Sequence, residues 1–200
     1  MVLAFAPFAW LTHLVSNHWW TYPLVFAAVV LDADLPIVPS ETVIVTAAIA
    51  AHAGHLSVWV VGLAAALGGI VGDNISYALG AFVGRPAFER LFHGEKSRRR
   101  YDWSKEKLER QGVWIVPAAR FVPGGRTAIT FAAGTTAMTW RRFAIADAVA
   151  ACVWAFYATA LGYFGGAAFG TGWRSFALAL GIGAVVGLAG FAYYRLAGGE

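Results

Sequence analysis

The sequence predicts an all-α polytopic membrane protein, built of transmembrane helices and two opposed re-entrant helical hairpins that form an inverted repeat. Three observations carry this. Only 13% of the 200 residues are charged and 59% are hydrophobic, with a mean hydropathy of +0.62, whereas a soluble domain carries about 25% charged residues. Apolar runs cover most of the chain. Two of them are broken by Pro and Gly where charged residues enter. A core of this size leaves too little polar surface for water, and a bilayer removes the difficulty because lipid faces the apolar exterior. Nine Trp and seven Tyr suit the membrane interface, and 23 Gly suit close helix packing. Residues 1–200 read as a single membrane domain.

Taken in order, residues 1–18 read as a short interfacial or half-inserted helix. The N-terminus lacks a basic n-region and a small-residue cleavage site, so the first spans are expected to insert uncleaved. Residues 19–37 are apolar until Asp32 and Asp34, and Pro36 and Pro39 close the stretch, since proline removes a donor and clashes with the preceding turn. Val43 to Ala51 is too short to cross about 30 Å of hydrocarbon, so residues 32–55 are predicted to form a re-entrant hairpin. Residues 57–84 form a long Gly-dotted span holding Asp73. Residues 85–112 form a polar loop, with a surface amphipathic helix expected from Tyr101 to Arg110. Residues 113–138 hold Pro117, Arg120, Pro123, Gly124, Gly125 and Arg126. A straight lipid-facing helix cannot carry that set, and a second re-entrant hairpin is predicted. Residues 140–166 and 173–195 read as two further spans.

Charge sets the orientation. Residues 85–112 hold nine Lys/Arg against five Asp/Glu, which accounts for the whole net charge of +4. The positive-inside rule makes this loop cytoplasmic, and contact with anionic headgroups follows from its charge. The first hairpin then dips in from outside and the second from the cytoplasm. Nucleic-acid binding is not implied by the pI, because the rest of the chain is neutral. The single cysteine, Cys152, excludes an intrachain disulfide and a cysteine metal cluster.

The two breaks share a short pattern. The first reads Pro39-Ser40-Glu41-Thr42 with Ala47-Ala48 after it. The second reads Pro123-Gly124-Gly125-Arg126-Thr127 with Ala132-Ala133 after it. In both, the charged residue precedes Thr and the Ala pair starts six positions later. Inverted repeats with broken helices of this kind build a site near the bilayer midplane.

Asp32, Asp34, Glu41, Asp73, Arg120, Arg126 and Asp147 are the charged residues inside predicted membrane segments. Each must pair, line a wet cavity or bind a charged ligand, because a lone charge there is costly. Mutual pairing that only fixes the fold is the alternative, above all for Asp73 and Asp147, which are isolated in helices. Arg120 and Arg126 flank the Pro-Gly-Gly break. Their forked donors match phosphate oxygens, and Gly124 and Gly125 add free backbone N–H groups. The acids Asp32, Asp34, Glu41 and Asp73 form the candidate proton-handling set, since burial favours the protonated carboxyl. Protonating an acid that faces an arginine would free that arginine for an anion. The hairpins are therefore expected to meet, with Glu41 near Arg126. His52 and His55 have a weak metal-like spacing without a third ligand. Ser40, Thr127 and Cys152 show no nucleophile arrangement, and no Walker-type loop or zinc motif occurs. No enzyme activity, metal or cofactor is expected.

Three motifs in order resemble the DedA family, also described by the VTT or SNARE-associated domain. They are Asp32 through Pro36-Ile37-Val38-Pro39-Ser40-Glu41, then Gly72-Asp73-Asn74-Ile75-Ser76-Tyr77-Ala78-Leu79-Gly80 with Gly84, and Arg120-Phe121-Val122-Pro123-Gly124-Gly125-Arg126-Thr127 with Ala133-Gly134. Trp154 and Gly162-Tyr163 fit a late span of that family. The resemblance covers roughly residues 20–166. It implies facing re-entrant hairpins in a bacterial inner (plasma) membrane. It also implies transport of a lipid-linked phosphate, undecaprenyl phosphate first, coupled to protons. Asp32, Glu41, Arg120 and Arg126 are its implied working residues. Asp32 stands where many members have Glu, and Asp34 is an additional acid. An uncoupled phospholipid scramblase and a structural or interaction protein are the alternatives. The expected partners are a polyprenyl-phosphate or phospholipid, protons and membrane lipids, with oligomerisation open.

Overall fold

The computed structural model describes residues 19–35, 40–91, 95–111, 115–120, 125–136, 138–169 and 181. The segments expected at 1–18 and 173–195 lie outside the described residues, apart from Gly181. Every described element is a helix. They are α1 (Thr21–Asp34), α2 (Ser40–His52), α3 (Val58–Leu91), α4 (Glu95–Gln111), α5 (Ile115–Ala119), α6 (Gly125–Thr135) and α7 (Trp140–Phe169).

Two of these helices contain stretches long and apolar enough to cross a bilayer, Val58–Phe82 with 25 residues and Trp140–Gly165 with 26. The other apolar helices are short. The 14 residues of α1 reach only about 21 Å at 1.5 Å per residue, and α2, α5 and α6 are shorter still. The predicted break between Asp34 and Ser40 and the predicted break after Ala119 both separate short helices. The first arm beside the 34–40 break, α1, begins at Thr21, well before residue 32. The helix expected from Tyr101 is longer than the pattern suggests, since α4 starts at Glu95.

Helix α3 changes direction at Gly84, whose φ of 68° belongs to the left-handed region that glycine tolerates. The apolar span ends there and the chain turns into the basic segment.

The long helices α3 and α7 run antiparallel through the centre. Gly62 of α3 lies against Thr159, Gly69 against Ala151, and Trp140 Nε1 donates to Asn74 Oδ1 at 2.8 Å. Helix α1 runs beside α3 in the same direction, with Gly68 against Phe26 and Gly72 against Val30 and Ala33. Helix α6 also packs on α3 in register. Gly80 and Gly134 allow direct backbone contact there, because a Cβ on either would overlap the carbonyl of Phe131 or Tyr77. Helix α2 packs on α7, where Gly162 meets Val45 and Ala48, and α5 also packs on α7. Thus the first arm of each short pair lies on the long helix that follows it. The second arm lies on the long helix of the other half.

Burial separates into two large apolar clusters and a small one of Val45 and Ile49 against Leu161. One large cluster joins Val25, Val29, Ile44, Val61 and Trp154 from α1, α2, α3 and α7. The other joins Leu108, Ile115, Ile129, Phe131 and Phe143, with Tyr77 beside it. The outer ridges of the long helices are apolar too. Trp59, Leu63, Leu67, Val71, Ile75 and Leu79 are exposed along α3, and Ile145, Val149, Val153 and Phe156 along α7. Apolar outer ridges along both long helices, over an interior that also holds charges, match lipid as solvent.

Candidate functional site

The charged residues gather between the two large apolar clusters. Along α3, Asp73 falls between Ala66 and Tyr77. Along α7, Asp147 falls between Phe143 and Trp154. Asp73 is nine residues from Phe82 and fifteen from Val58, so it lies about 14 Å from the basic-loop end of the span and about 22 Å from the other. The cluster therefore sits inside the apolar layer, nearer the side that carries α4.

Arg120 follows α5 and enters the groove between the long helices. Its Nη2 donates to Asp147 Oδ1 at 2.7 Å, and the same nitrogen pairs closely with Asp73 Oδ2. Small residues make room for it, since a Cβ on Gly69 would lie 3.4 Å from both Arg120 Nη1 and the Cβ of Ala151. Arg126, in the first turn of α6, donates through Nε to Asp73 Oδ1 at 2.7 Å, and its Nη1 lies 3.5 Å from Asp32 Oδ2. Asp32 in turn accepts from Ser40 Oγ at 2.7 Å. The result is an alternating chain, Asp147–Arg120–Asp73–Arg126–Asp32–Ser40, that ties α7, α3, α6, α1 and α2 together. The Trp154 ring shares both guanidiniums, with its centroid 5.9 Å from Arg120 Cζ and 5.7 Å from Arg126 Cζ.

Asp34 stands at the edge of this chain. It accepts from Ser76 Oγ at 2.5 Å and lies within electrostatic reach of Asp73 and Arg126. Thr127 next to Arg126 donates to the carbonyl of Ala33 at 2.8 Å, which pins the two breaks to each other.

Of the candidate residues, Asp32, Asp34, Asp73, Arg120 and Arg126 come together. Gly125 opens α6 beside them, and Gly124 lies outside the described residues. Glu41 does not face Arg126 in an ion pair. It is exposed in the first turn of α2, within reach of Asp32, and Asp32 takes the arginine instead. Asp147 is fully part of the cluster, although the pattern of broken helices gave it no role. Its signal was only a lone acid in an apolar span. No group of three or more metal-ligating side chains occurs among the described residues.

Four carboxyls and two guanidiniums meet here, so acids outnumber bases. The arginines are nevertheless not saturated. Nε and Nη1 of Arg120 and Nη2 of Arg126 are buried without a hydrogen-bond partner among the described residues, as is Asp147 Oδ2. Buried N–H groups without acceptors are costly, and they give the site spare donor capacity for an anion.

The VTT domain family matches residues 38–164. Protein DedA of Escherichia coli K12 is 31% identical over 166 residues, which cover 78% of this chain and 74% of that protein. Undecaprenyl phosphate transporter A of Staphylococcus aureus is 30% identical over 150 residues, covering 70% of this chain and 72% of the relative. An uncharacterised membrane protein of Mycobacterium leprae is 32% identical over 154 residues, covering 70% and 68%. No solved structure matches. With these relatives and apolar outer ridges over an interior that also holds charges, the chain belongs to the DedA family of VTT-domain membrane proteins.

Proposed function

We propose that this protein carries a phosphate-bearing lipid across the bacterial inner membrane, with undecaprenyl phosphate the first candidate, and that protons move with it. One observation carries the reading. Two arginines with unused buried N–H groups sit inside the apolar layer, in contact with more carboxyls than they can neutralise. A phosphate monoester brings about −1.5 to −2 charges at neutral pH. A site of four carboxyls and two arginines would repel it, and in a medium of low dielectric that repulsion is large. Binding becomes favourable when acids of the cluster take up protons, so that the headgroup replaces carboxylates on the arginines. Uptake of headgroup and proton are then one event. The relative named as an undecaprenyl phosphate transporter supports this substrate class.

Within this scheme the arginines divide the work. Arg126 is the more open of the two and its pair to Asp32 is the loosest, so it meets the headgroup first. Glu41, exposed beside Ser40, exchanges protons with water and passes them to Asp32. The exchanged packing of the short helices supports the expectation of two re-entrant hairpins, over about 32–55 and 113–138, related as an inverted repeat in a multi-pass chain, with the first arm of the first starting earlier, at Thr21. Such hairpins would open alternately to the two faces.

The test is a liposome assay with the purified chain, comparing flipping of undecaprenyl phosphate with that of common phospholipids, with and without a proton gradient. Selective, gradient-dependent flipping is expected. Equal flipping of all lipids after the gradient is collapsed would replace this reading with an uncoupled scramblase. Mutual pairing of the charges also fits a purely structural role. A doubly swapped Asp32→Arg, Arg126→Asp chain that still supports lipid recycling would establish that role.

A further inference from the structure

We propose that Asp147 is an internal anion that holds Arg120 in the headgroup's place, and so sets how tightly the site takes a phosphate. This rests on the headgroup reading above. Asp147, Ala151 and Trp154 lie at i, i+4 and i+7 on the face of α7 turned toward the arginines. Asp147 is wholly buried, yet it uses only one oxygen, which accepts from a nitrogen already engaged by Asp73. Among the described residues its Oδ2 has no donor, while Nε and Nη1 of the same arginine have no acceptor.

A carboxylate placed only to fix an arginine would engage two N–H groups side by side. Here the fork is left half used, and Asp73 already links the two arginines. Asp147 adds a charge that the pairing does not need. The groups that face it are Arg120 from the turn after α5 and Asp73 from α3, with Arg126 of α6 and Asp32 of α1 behind them. A phosphate has more acceptor oxygens than Asp147 uses, and can engage the donors that Asp147 leaves free. Asp147 and the headgroup therefore compete for Arg120. Removing the charge while keeping the shape should favour the headgroup.

The test uses the full chain in liposomes with undecaprenyl phosphate as probe, comparing wild type, Asp147→Asn and Asp147→Glu. The Asn variant is expected to fold, to show a KM about five- to tenfold lower, and to gain a larger ligand-induced rise in Tm. The Glu variant, which keeps the charge but must fit one more methylene into a packed site, should not show that drop in KM. An unchanged or raised KM in the Asn variant overturns the inference. So does an Asn variant that does not fold, because Asp147 is then a structural partner. If the wild-type chain itself takes up no undecaprenyl phosphate, the headgroup reading and this inference fall together. If wild type saturates normally and Asn leaves KM unmoved, only the role of Asp147 falls.

Discussion

The two arginine corners of the cluster use the same chemistry in different degrees. At the Arg120 corner, two carboxylates close on one nitrogen, the side chain is 3% exposed, and both partners sit on the long helices. At the Arg126 corner, one tight contact to Asp73 is joined by a longer one of 3.5 Å to Asp32, and the side chain is 12% exposed. Asp32 and Arg126 belong to short helices beside chain breaks. The difference teaches which arginine is the more firmly held and which exchanges partners more readily. Arg120 bridges the antiparallel pair α3 and α7, which must stay together. Arg126 joins the end of α1 to the start of α6, beside the two chain breaks.

The hardest way to break this comparison is to remove the residue both corners share. Asp73→Ala leaves both arginines without their central partner. A loss of about 3–5 kcal/mol is expected, as for any buried pair deprived of one member. Thermal unfolding in detergent, followed by tryptophan fluorescence, measures it. A Tm like that of wild type would show that the cluster contributes nothing to the fold.

The comparison itself is sharpened by truncating each arginine alone. Arg120→Ala strands Asp147 in the interior and should cost nearly as much as loss of Asp73. Arg126→Ala leaves Asp73 paired with Arg120 and Asp32 bonded to Ser40, so the expected cost is smaller, about 1–3 kcal/mol. Headgroup binding should nonetheless vanish in the Arg126 variant. The measurements are Tm and binding of undecaprenyl phosphate for the two variants. A reversed order of stability would exchange the assigned roles.

Much of this site was legible in the sequence, and the illegible part has a physical cause. Proline and glycine mark the chain breaks because they act locally. The charges mark the interior because apolar residues surround them on both sides. Pairing is another matter. Arg126 finds Asp73 across 53 residues and Arg120 finds Asp147 across 27, contacts that depend on how helices dock. The choice of Asp32 over Glu41 depends on the rotation of α1 and α2. Both helices are apolar all round, so no amphipathic stripe shows which acid points inward. The length of α1 was obscured for a related reason, since the pattern marks where a helix stops more clearly than where it starts.

A gentler test lies at the aromatic face the two corners share. Trp154 lies within 6 Å of both guanidinium carbons, and each such contact is worth about 0.5–2 kcal/mol. Trp154→Leu removes the π face and should lower stability by about that amount for each arginine. Trp154→Phe keeps part of it and should recover part of the loss. If Leu and Phe behave alike in thermal unfolding, the ring acts through its volume alone and does not link the corners.

The smallest structural effect is expected at Glu41, and there the comparison meets function. Glu41 is exposed and has no ion pair among the described residues, so Glu41→Gln should leave Tm unchanged. Its position beside Ser40, which donates to Asp32, puts it at the outer end of the Arg126 corner. If protons reach Asp32 from Glu41, the Gln variant should still bind undecaprenyl phosphate but respond weakly to an imposed gradient. Loss of Asp32, by contrast, should disturb both binding and gradient response, because Asp32 touches the arginine directly. Measuring flipping against gradient size in Glu41→Gln and Asp32→Asn separates an acid that relays protons from one that exchanges places with the headgroup. Identical gradient dependence in wild type and Glu41→Gln would remove Glu41 from the proton path. Asp32 would then remain as the acid beside the first chain break that senses the charge of Arg126.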